Sequence, residues 1–204
     1  TWAAAPVGAF FKDIFITSAA LTWTALPSSP PEASSMTSEG YVVEASSTDF
    51  GVLSLGGAVL SSMTTNAALS TLTVSGLEVN TTYYFRLASL SWSSGRNLVV
   101  LSATATLASP PGPGAPLLRA VFMSSVSANW SAGSPPNRPQ PRYLLQASSM
   151  AFAPNEDIVA SDTANISDIV TGLLPDTTYE LRGEVLNYNS VPARLALGST
   201  ATFA

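Results

Sequence analysis

The feature of this sequence that most restricts its fold is an internal repeat. Three blocks of the first half recur in the same order in the second half. The paired blocks are residues 20–25 and 127–132, 41–47 and 143–149, and 76–86 and 172–182. A repeat marks domain boundaries more reliably than local propensity does. The chain is therefore predicted to hold two homologous domains in tandem.

Each half consists of short segments in which polar and apolar residues alternate. Residues 69–74 and 82–90 are examples, and clusters of Pro, Gly, Ser and Asn separate such segments. A period of two is typical of a half-buried strand, and no segment keeps a helical period over three turns. Roughly seven short strands per domain, with a turn signal every 8 to 12 residues, favour an all-β, two-sheet sandwich.

Six aromatic residues occupy matching positions in the two halves. In each half a Trp lies on the second predicted strand, a Tyr opens the third, and a second Tyr ends a Leu-x-[Val/Pro]-[Asn/Asp]-Thr-x-Tyr motif; the residues are Trp23, Tyr41 and Tyr83, and Trp130, Tyr143 and Tyr179. The pattern resembles the fibronectin type III family over nearly the whole chain, twice. The resemblance implies two immunoglobulin-like sandwiches in tandem, as in extracellular arrays, bacterial ones included, each with a buried tyrosine corner.

The predicted domain boundaries follow from the repeat and from proline. Residues 1–109 form the first predicted domain and residues 117–204 the second, with a Pro-rich linker at 110–116 between them. Closely spaced prolines favour an extended, semi-rigid segment. Residues 1–6 are a candidate linker from a preceding unit, with an ordinary leader as the alternative. The inserts at 26–40 and 49–65 depart from the family's pattern.

Composition argues against catalysis and against nucleic-acid binding. The chain has no Cys and no His, so the usual thiolate nucleophile, zinc ligands and general base are missing. We expect no enzyme activity, no cofactor and no metal site. Eight basic residues against a net charge of -5 cannot form a phosphate-neutralising face, so no nucleic-acid partner is expected.

The low content of charge points to a different kind of partner. Charged residues make up 10% of the chain, against roughly 25% in ordinary soluble domains. Weakly charged surfaces repel each other little, which suits exported proteins and proteins that pack against copies of themselves. No apolar run is long enough for a membrane span, and we expect no membrane insertion.

Five aromatic residues are candidate interaction residues. Trp92 and Tyr188 align with each other just after the sixth predicted strand of each domain, and Phe10 and Phe11 lie in an unusually aromatic first strand beside Trp2. Exposed Trp and Tyr are suited to anchoring a partner. The alternatives are that the loop rings fold back over their own sandwich and that the Phe residues belong to the core.

Several polar features receive structural readings. Glu156, Asp157, Asp162 and Asp168 are interpreted as solvated carboxylates, with a weak calcium site as the alternative. Arg86 and Arg182 share one position of the sixth strand, which predicts a shared structural contact. Three Asn-x-Ser/Thr sequons, at residues 80, 129 and 165, offer acceptors for a glycan.

These observations together predict a non-enzymatic extracellular or cell-surface protein with a structural or adhesive role. Its expected partners are copies of itself, head to tail or side by side, as in a fibre, a filament or a tandem array, or another surface protein. The alternative is a spacer or a carbohydrate- or ligand-binding module of a larger secreted enzyme or receptor.

Overall fold

The computed structural model describes residues 3–26, 38–50, 58–92, 95–137, 141–156 and 158–204. The chain divides into two compact units, Thr1–Leu107 and Ala108–Ala204. The regular secondary structure of the described residues consists of strands, which confirms the predicted all-β class. Within the described ranges, no helix has the length and hydropathy that a bilayer-crossing segment needs.

The first unit is a sandwich of two antiparallel sheets. Its strands are β1 (Val7–Ile14), β2 (Ser18–Thr24), β3 (Gly40–Ser46), β4 (Val59–Thr64), β5 (Thr71–Ser75), β6 (Thr82–Leu90), β7 (Arg96–Val100) and β8 (Thr104–Ala105). One sheet has the order β1-β2-β5 and the other the order β4-β3-β6-β7, with β8 also pairing with β6. Strands β3 and β6 are therefore central, and β4 and β7 are the edges of the larger sheet.

The second unit repeats this arrangement strand for strand. Its strands are β9 (Gly112–Val121), β10 (Ser125–Ser131), β11 (Tyr143–Ser148), β12 (Val159–Thr163), β13 (Ser167–Thr171), β14 (Thr178–Leu186) and β15 (Pro192–Ala201). The sheets have the orders β13-β10-β9 and β12-β11-β14-β15. Strand β15 corresponds to β7 and β8 of the first unit taken together.

The predicted aromatic residues lie in the two cores. Trp23 on β2 and Tyr41 on β3 face each other across the sandwich with ring centroids 4.9 Å apart, and Trp130 and Tyr143 do the same at 5.6 Å. All four are buried. Successive strand residues point to opposite faces, so the residues two apart on each strand build one apolar layer.

The tyrosine corner predicted by the resemblance is present in both units. The backbone N–H of Glu78 donates a 2.9 Å hydrogen bond to the hydroxyl of Tyr83, and the N–H of Leu174 donates one of the same length to Tyr179. Burial raises the pKa of Tyr83 above its usual value. The corner therefore ties the turn before each sixth strand to that strand's own core ring.

The boundary between the units differs from the predicted linker. Ala108 is buried in the core of the second unit, and Ser109 exchanges two hydrogen bonds with the side chain of Asn137, at 2.7 and 2.9 Å. Residues 112–116 lie in β9, where Pro113 stands opposite Trp130. Strand β9 is an edge strand, and an edge accepts proline wherever the missing N–H would face solvent.

The first described residues are held by the first unit. The side chains of Asn97 and Ser89 donate hydrogen bonds to the carbonyls of Ala3 and Ala4, at 3.1 and 2.6 Å. Ala3 is buried. Most of the insert at 26–40, and residues 51–57 of the stretch at 49–65, lie outside the described residues.

Candidate interaction surface

Trp92 is the most exposed large apolar side chain of the described residues. It follows the end of β6 by two positions, in the turn that leads to β7, and 89% of its surface is accessible. The backbone N–H of Ser91, the residue before Trp92, donates a 3.0 Å hydrogen bond to the carbonyl of Gly95. The indole is therefore exposed to solvent next to a backbone that this bond holds.

Tyr188 has the same place in the second unit, two positions after the end of β14. Its side chain is 57% exposed. The buried side chain of Asn187 accepts hydrogen bonds from the backbone N–H groups of Asn189 and Val191, at 3.0 and 2.8 Å. These bonds hold the turn of the second unit in one shape, so Tyr188 projects from a fixed support.

The two Phe residues of β1 separate onto opposite faces. Phe10 is 59% exposed and pairs with Thr22 on the outer face of the smaller sheet. Phe11 packs edge-on against Phe85, with ring centroids 5.0 Å apart, and lies against the core. Phe11 therefore serves the core and is only partly exposed, whereas most of Phe10 is exposed to solvent. Trp2 lies outside the described residues.

Comparison with known proteins gives a result at the level of the fold. No family model matches the sequence, and no curated protein matches it. A two-domain fibronectin type III segment of chicken tenascin aligns over 97% of this chain and 99% of its own, with a TM-score of 0.57 and 14% identity. The chain therefore has the fold of two fibronectin type III domains in tandem. The FN1–FN3 domains of chicken CNTN1 also align, over 99% of this chain and 68% of their own, with a TM-score of 0.40 and 14% identity.

Both fibronectin domains stack an arginine of the sixth strand on a phenylalanine. The guanidinium of Arg86 lies 4.0 Å from the ring centroid of Phe50, and that of Arg182 lies 3.8 Å from the ring of Phe152. Arg86 also pairs with Glu44 on the neighbouring strand. The two arginines thus share the structural contact that their position predicts, and they tie the loop after the third strand to the sheet.

The equivalent site of the second domain has the same number of charged groups in a different arrangement. Arg182 bonds to Gln146 at 2.7 Å, and the buried carboxylate of Glu184 accepts a hydrogen bond from Arg194 at 2.7 Å. Burial lowers the pKa of the Arg182 guanidinium, and the charge of Arg194 lowers it further. Arg182, Gly183 and Glu184 all lie within β14, so these three residues belong to the sheet and not to an exposed loop.

Asp162 and Glu156, two carboxylates of the predicted acidic region, contact different residues. Asp162 pairs with Arg142, and Glu156 accepts hydrogen bonds from Ser148 and from the backbone of Met150. Asp168 lies on β13, and Asp157 is outside the described residues. In the part of the chain that the structure describes, no three such side chains meet as a metal site would require.

The Glu156 contact predicts a pH effect on the loop that carries Phe152. The hydroxyl of Ser148 is the main cause that lowers the pKa of Glu156, and the backbone N–H of Met150 adds to it. A carboxylate whose pKa is depressed on folding stabilises the fold above its unfolded pKa of about 4.3, and this contribution is lost as pH falls through the folded pKa.

We expect Ser148→Ala to raise the pKa of Glu156 toward its ordinary value in an NMR titration of its carboxyl carbon. Ser149→Ala, a change at the exposed neighbouring serine, is the control and should leave the titration in place. An unchanged Glu156 pKa in Ser148→Ala would show that the hydroxyl is not its cause.

The three sequons differ in access. Asn80 is buried in a turn, and Asn129 is half-buried on β10, where its side-chain oxygen is enclosed. Asn165 is exposed between β12 and β13. A glycan could therefore be attached to Asn165 without disturbing the folded domain, which is not so for Asn80.

One surface of the first fibronectin domain was missed by the sequence analysis. Met63, Leu98 and Val100, on the edge strands β4 and β7, are exposed at 61%, 45% and 66%. Leu98, Val99 and Val100 are all aliphatic, so the sequence does not say which of them lie inward. Only the pairing of the strands places Met63, Leu98 and Val100 on the outer face of one sheet.

Proposed function

We propose that this chain is a non-enzymatic structural or adhesive module of an extracellular or cell-surface protein. We further propose that it associates with copies of itself through the aromatic side chains of its turns between the sixth and seventh strands. The observation that carries the proposal is the exposure of Trp92 and Tyr188 at equivalent positions, 89% and 57%. Two domains that present an aromatic ring at the same turn offer a repeated contact, as an array or a fibre requires.

The energetic argument rests on the chemistry of these rings. An exposed Trp or Tyr gives a large contact area while only two side-chain torsions are fixed on binding. The hydrogen bonds of Ser91 and Asn187, the residues just before the two rings, hold the adjacent backbone and reduce the ordering cost further. The low charge of the chain, 10% of residues, leaves little repulsion between copies. The absence of Cys and His from the sequence supports a role without catalysis.

The test is the double substitution Trp92→Ala with Tyr188→Ala. We expect it to weaken self-association at least about tenfold, because each deleted ring costs more than 1 kcal/mol if it is an interface anchor. Light scattering across a wide concentration range measures the association, and negative-stain microscopy shows whether fibres form. Circular dichroism should show an unchanged fold, because neither ring is buried.

Phe203→Ala is the matched control, because Phe203 is an equally exposed aromatic, at 62%, that follows β15 rather than a sixth strand. It should leave association intact. Association that survives the double substitution would contradict the role of the two rings. A parent chain that stays monomeric at every concentration would contradict self-association and favour the alternative, a spacer or ligand-binding module.

A further inference from the structure

Strand β7 of the first fibronectin domain has one open hydrogen-bonding edge. It lies at the end of the sheet order β4-β3-β6-β7 and pairs with β6 alone among the described strands. Exposed edge strands are templates for pairing with another chain, and proteins usually blunt them with proline, charge or a bulge. Strand β7 has the sequence Arg-Asn-Leu-Val-Val and ends in three aliphatic residues.

The hydrogen bonds between β6 and β7 determine which backbone groups face the open edge. In an antiparallel ladder, hydrogen-bonded and non-hydrogen-bonded pairs alternate. The pairs that Ser91 forms with Gly95 and that Phe85 forms with Leu101 are hydrogen-bonded. Between them the ladder places the backbone groups of Asn97 and Val99 toward β6. Those of Arg96, Leu98 and Val100 therefore point to the open edge.

The side chains of the same three residues lie on the outer face of the sheet. Leu98 belongs to a row across all four strands, in which Met63 stands opposite Val42, Val42 opposite Ala88, and Ala88 opposite Leu98. Every member of this row is apolar. The row therefore ends at the open edge with a 45% exposed leucine that has no neighbouring strand on one side.

In the second fibronectin domain, the corresponding edge strand β15 is protected against pairing. Its corresponding row consists of Asp162, Leu144, Glu184 and Arg194, and ion pairs engage its three charged members. The residue that corresponds to Arg96 is Pro192, which has no N–H to donate at the edge. Strand β15 also contacts β9, whereas β7 has no such contact with β1 among the principal strand contacts. Three features that discourage pairing, the charged row, the proline and the contact with β9, are thus present in the second domain and have no counterpart among the described residues of the first.

We propose that β7 pairs with β7 of a second copy of this chain, antiparallel about a twofold axis at Leu98. The proposal deepens the proposed self-association by naming a second contact for it. In this register Leu98 stands opposite its own copy and Arg96 opposite Val100 of the other copy. The outward N–H and C=O groups of all three residues are then satisfied, and two four-stranded sheets become one of eight strands.

The charges are compatible with this register. Arg96 is held by the carboxylate of Glu44 at 2.8 Å, so its charge is already paired on its own sheet. The twofold axis places the two arginines at opposite ends of the strand pair, separated by about 13 Å along it. No like charges meet, and the apolar row continues unbroken from one copy into the other.

The register can be tested with single cysteines, because the chain has none of its own. Residues opposite each other in a hydrogen-bonded antiparallel pair have Cα atoms about 5.5 Å apart, which a disulfide can bridge. We expect Leu98→Cys to form a disulfide-linked dimer under mild oxidation at least about tenfold faster than Val100→Cys. Val100→Cys lies opposite Arg96, so an equal mixture of Arg96→Cys and Val100→Cys chains should cross-link at about half the rate of Leu98→Cys, because about half of the pairs in the mixture are mixed.

A second measurement uses substitutions that block the edge. We expect Val100→Lys to weaken dimerisation at least about tenfold in analytical ultracentrifugation, while Ala196→Lys, the corresponding position of β15, leaves it unchanged. Both lie on exposed edges, and thermal unfolding checks that each variant is folded. Equal cross-linking rates for residues 98 and 100, or equal effects of the two lysines, would overturn the proposed pairing.

The two proposals fail in different ways. If Trp92→Ala with Tyr188→Ala abolishes association while the edge variants have no effect, the β7 pairing is wrong and the turn contact stands. If the edge variants dissociate the dimer and the aromatic pair has no effect, the pairing stands and the turn contact is wrong. A chain that remains monomeric and cross-links no faster at residue 98 than at residue 100 overturns both.

Discussion

Replacement of Trp130 by Ala is expected to lower the free energy of unfolding of the second fibronectin domain by about 3–5 kcal/mol. The indole is 1% exposed and packs against Tyr143 between the two sheets. Its removal leaves a cavity that the backbone cannot readily close, because β10 is fixed by hydrogen bonds to both of its neighbours, β9 and β13. Urea unfolding followed by circular dichroism measures the loss.

Trp130→Phe is the control for this substitution. The indole Nε1 has no protein hydrogen-bond partner, so Phe removes volume but no hydrogen bond, and we expect it to cost less than half as much as Ala. The tryptophans that remain in both variants, Trp23 among them, belong to the first domain. The unfolding transition followed by their fluorescence should therefore match that of the first domain in the parent chain. A loss below about 1 kcal/mol for Trp130→Ala would contradict the role of this ring as the centre of the core.

The core residues could be predicted because each occurs twice. Trp23 and Trp130 have similar neighbours in sequence, and a core position is constrained by both sheets at once. Similar sequence therefore means similar packing, and the predicted sandwich and its tyrosine corners are confirmed. For Arg86 and Arg182 the sequence predicted only a shared contact. It did not indicate the rings of Phe50 and Phe152, because the sequence does not say which ring a strand residue contacts.

Edges and boundaries were harder to predict, because they depend on partners that are distant in sequence. Residues 112–116 read as a linker from their prolines, yet β10 recruits them as an edge strand. Phe10 and Phe11 are consecutive, so alternation predicts that one is buried but not which one. Register shifts of β1 on either side of this pair determine the outcome.

The two domains also show how one fold can bear different surfaces. The rows through Val42 and Leu144 have the same place in the sheet, but the first is apolar and the second is charged. A core tolerates few substitutions, whereas an outer face can change freely unless a partner covers it. We therefore expect the two domains to make different contacts through these rows. This is the reason to test the edge strand β7 before any other edge.

Gly40→Ala is expected to destabilise the first fibronectin domain by about 2–4 kcal/mol, the combined cost of a steric overlap and a strained backbone. Gly40 opens β3 with φ 149°, and a Cβ there would lie 2.0 Å from the carbonyl oxygen of Thr64. That oxygen belongs to the backbone at the end of β4, which cannot move without breaking the β3–β4 pairing. Thermal unfolding of the variant measures the loss.

The control is Gly76→Ala, at a glycine that also has positive φ, 79°, but has open space where the Cβ would lie. It should cost only the conformational strain, about 1–2 kcal/mol. Equal losses for the two variants would mean that the contact with Thr64 is unimportant. In the second domain Arg142 precedes Tyr143 as Gly40 precedes Tyr41, and its side chain pairs with Asp162. The fold therefore accepts a side chain at this position, and the need for glycine in the first domain comes from its own positive φ and from the close approach of β4.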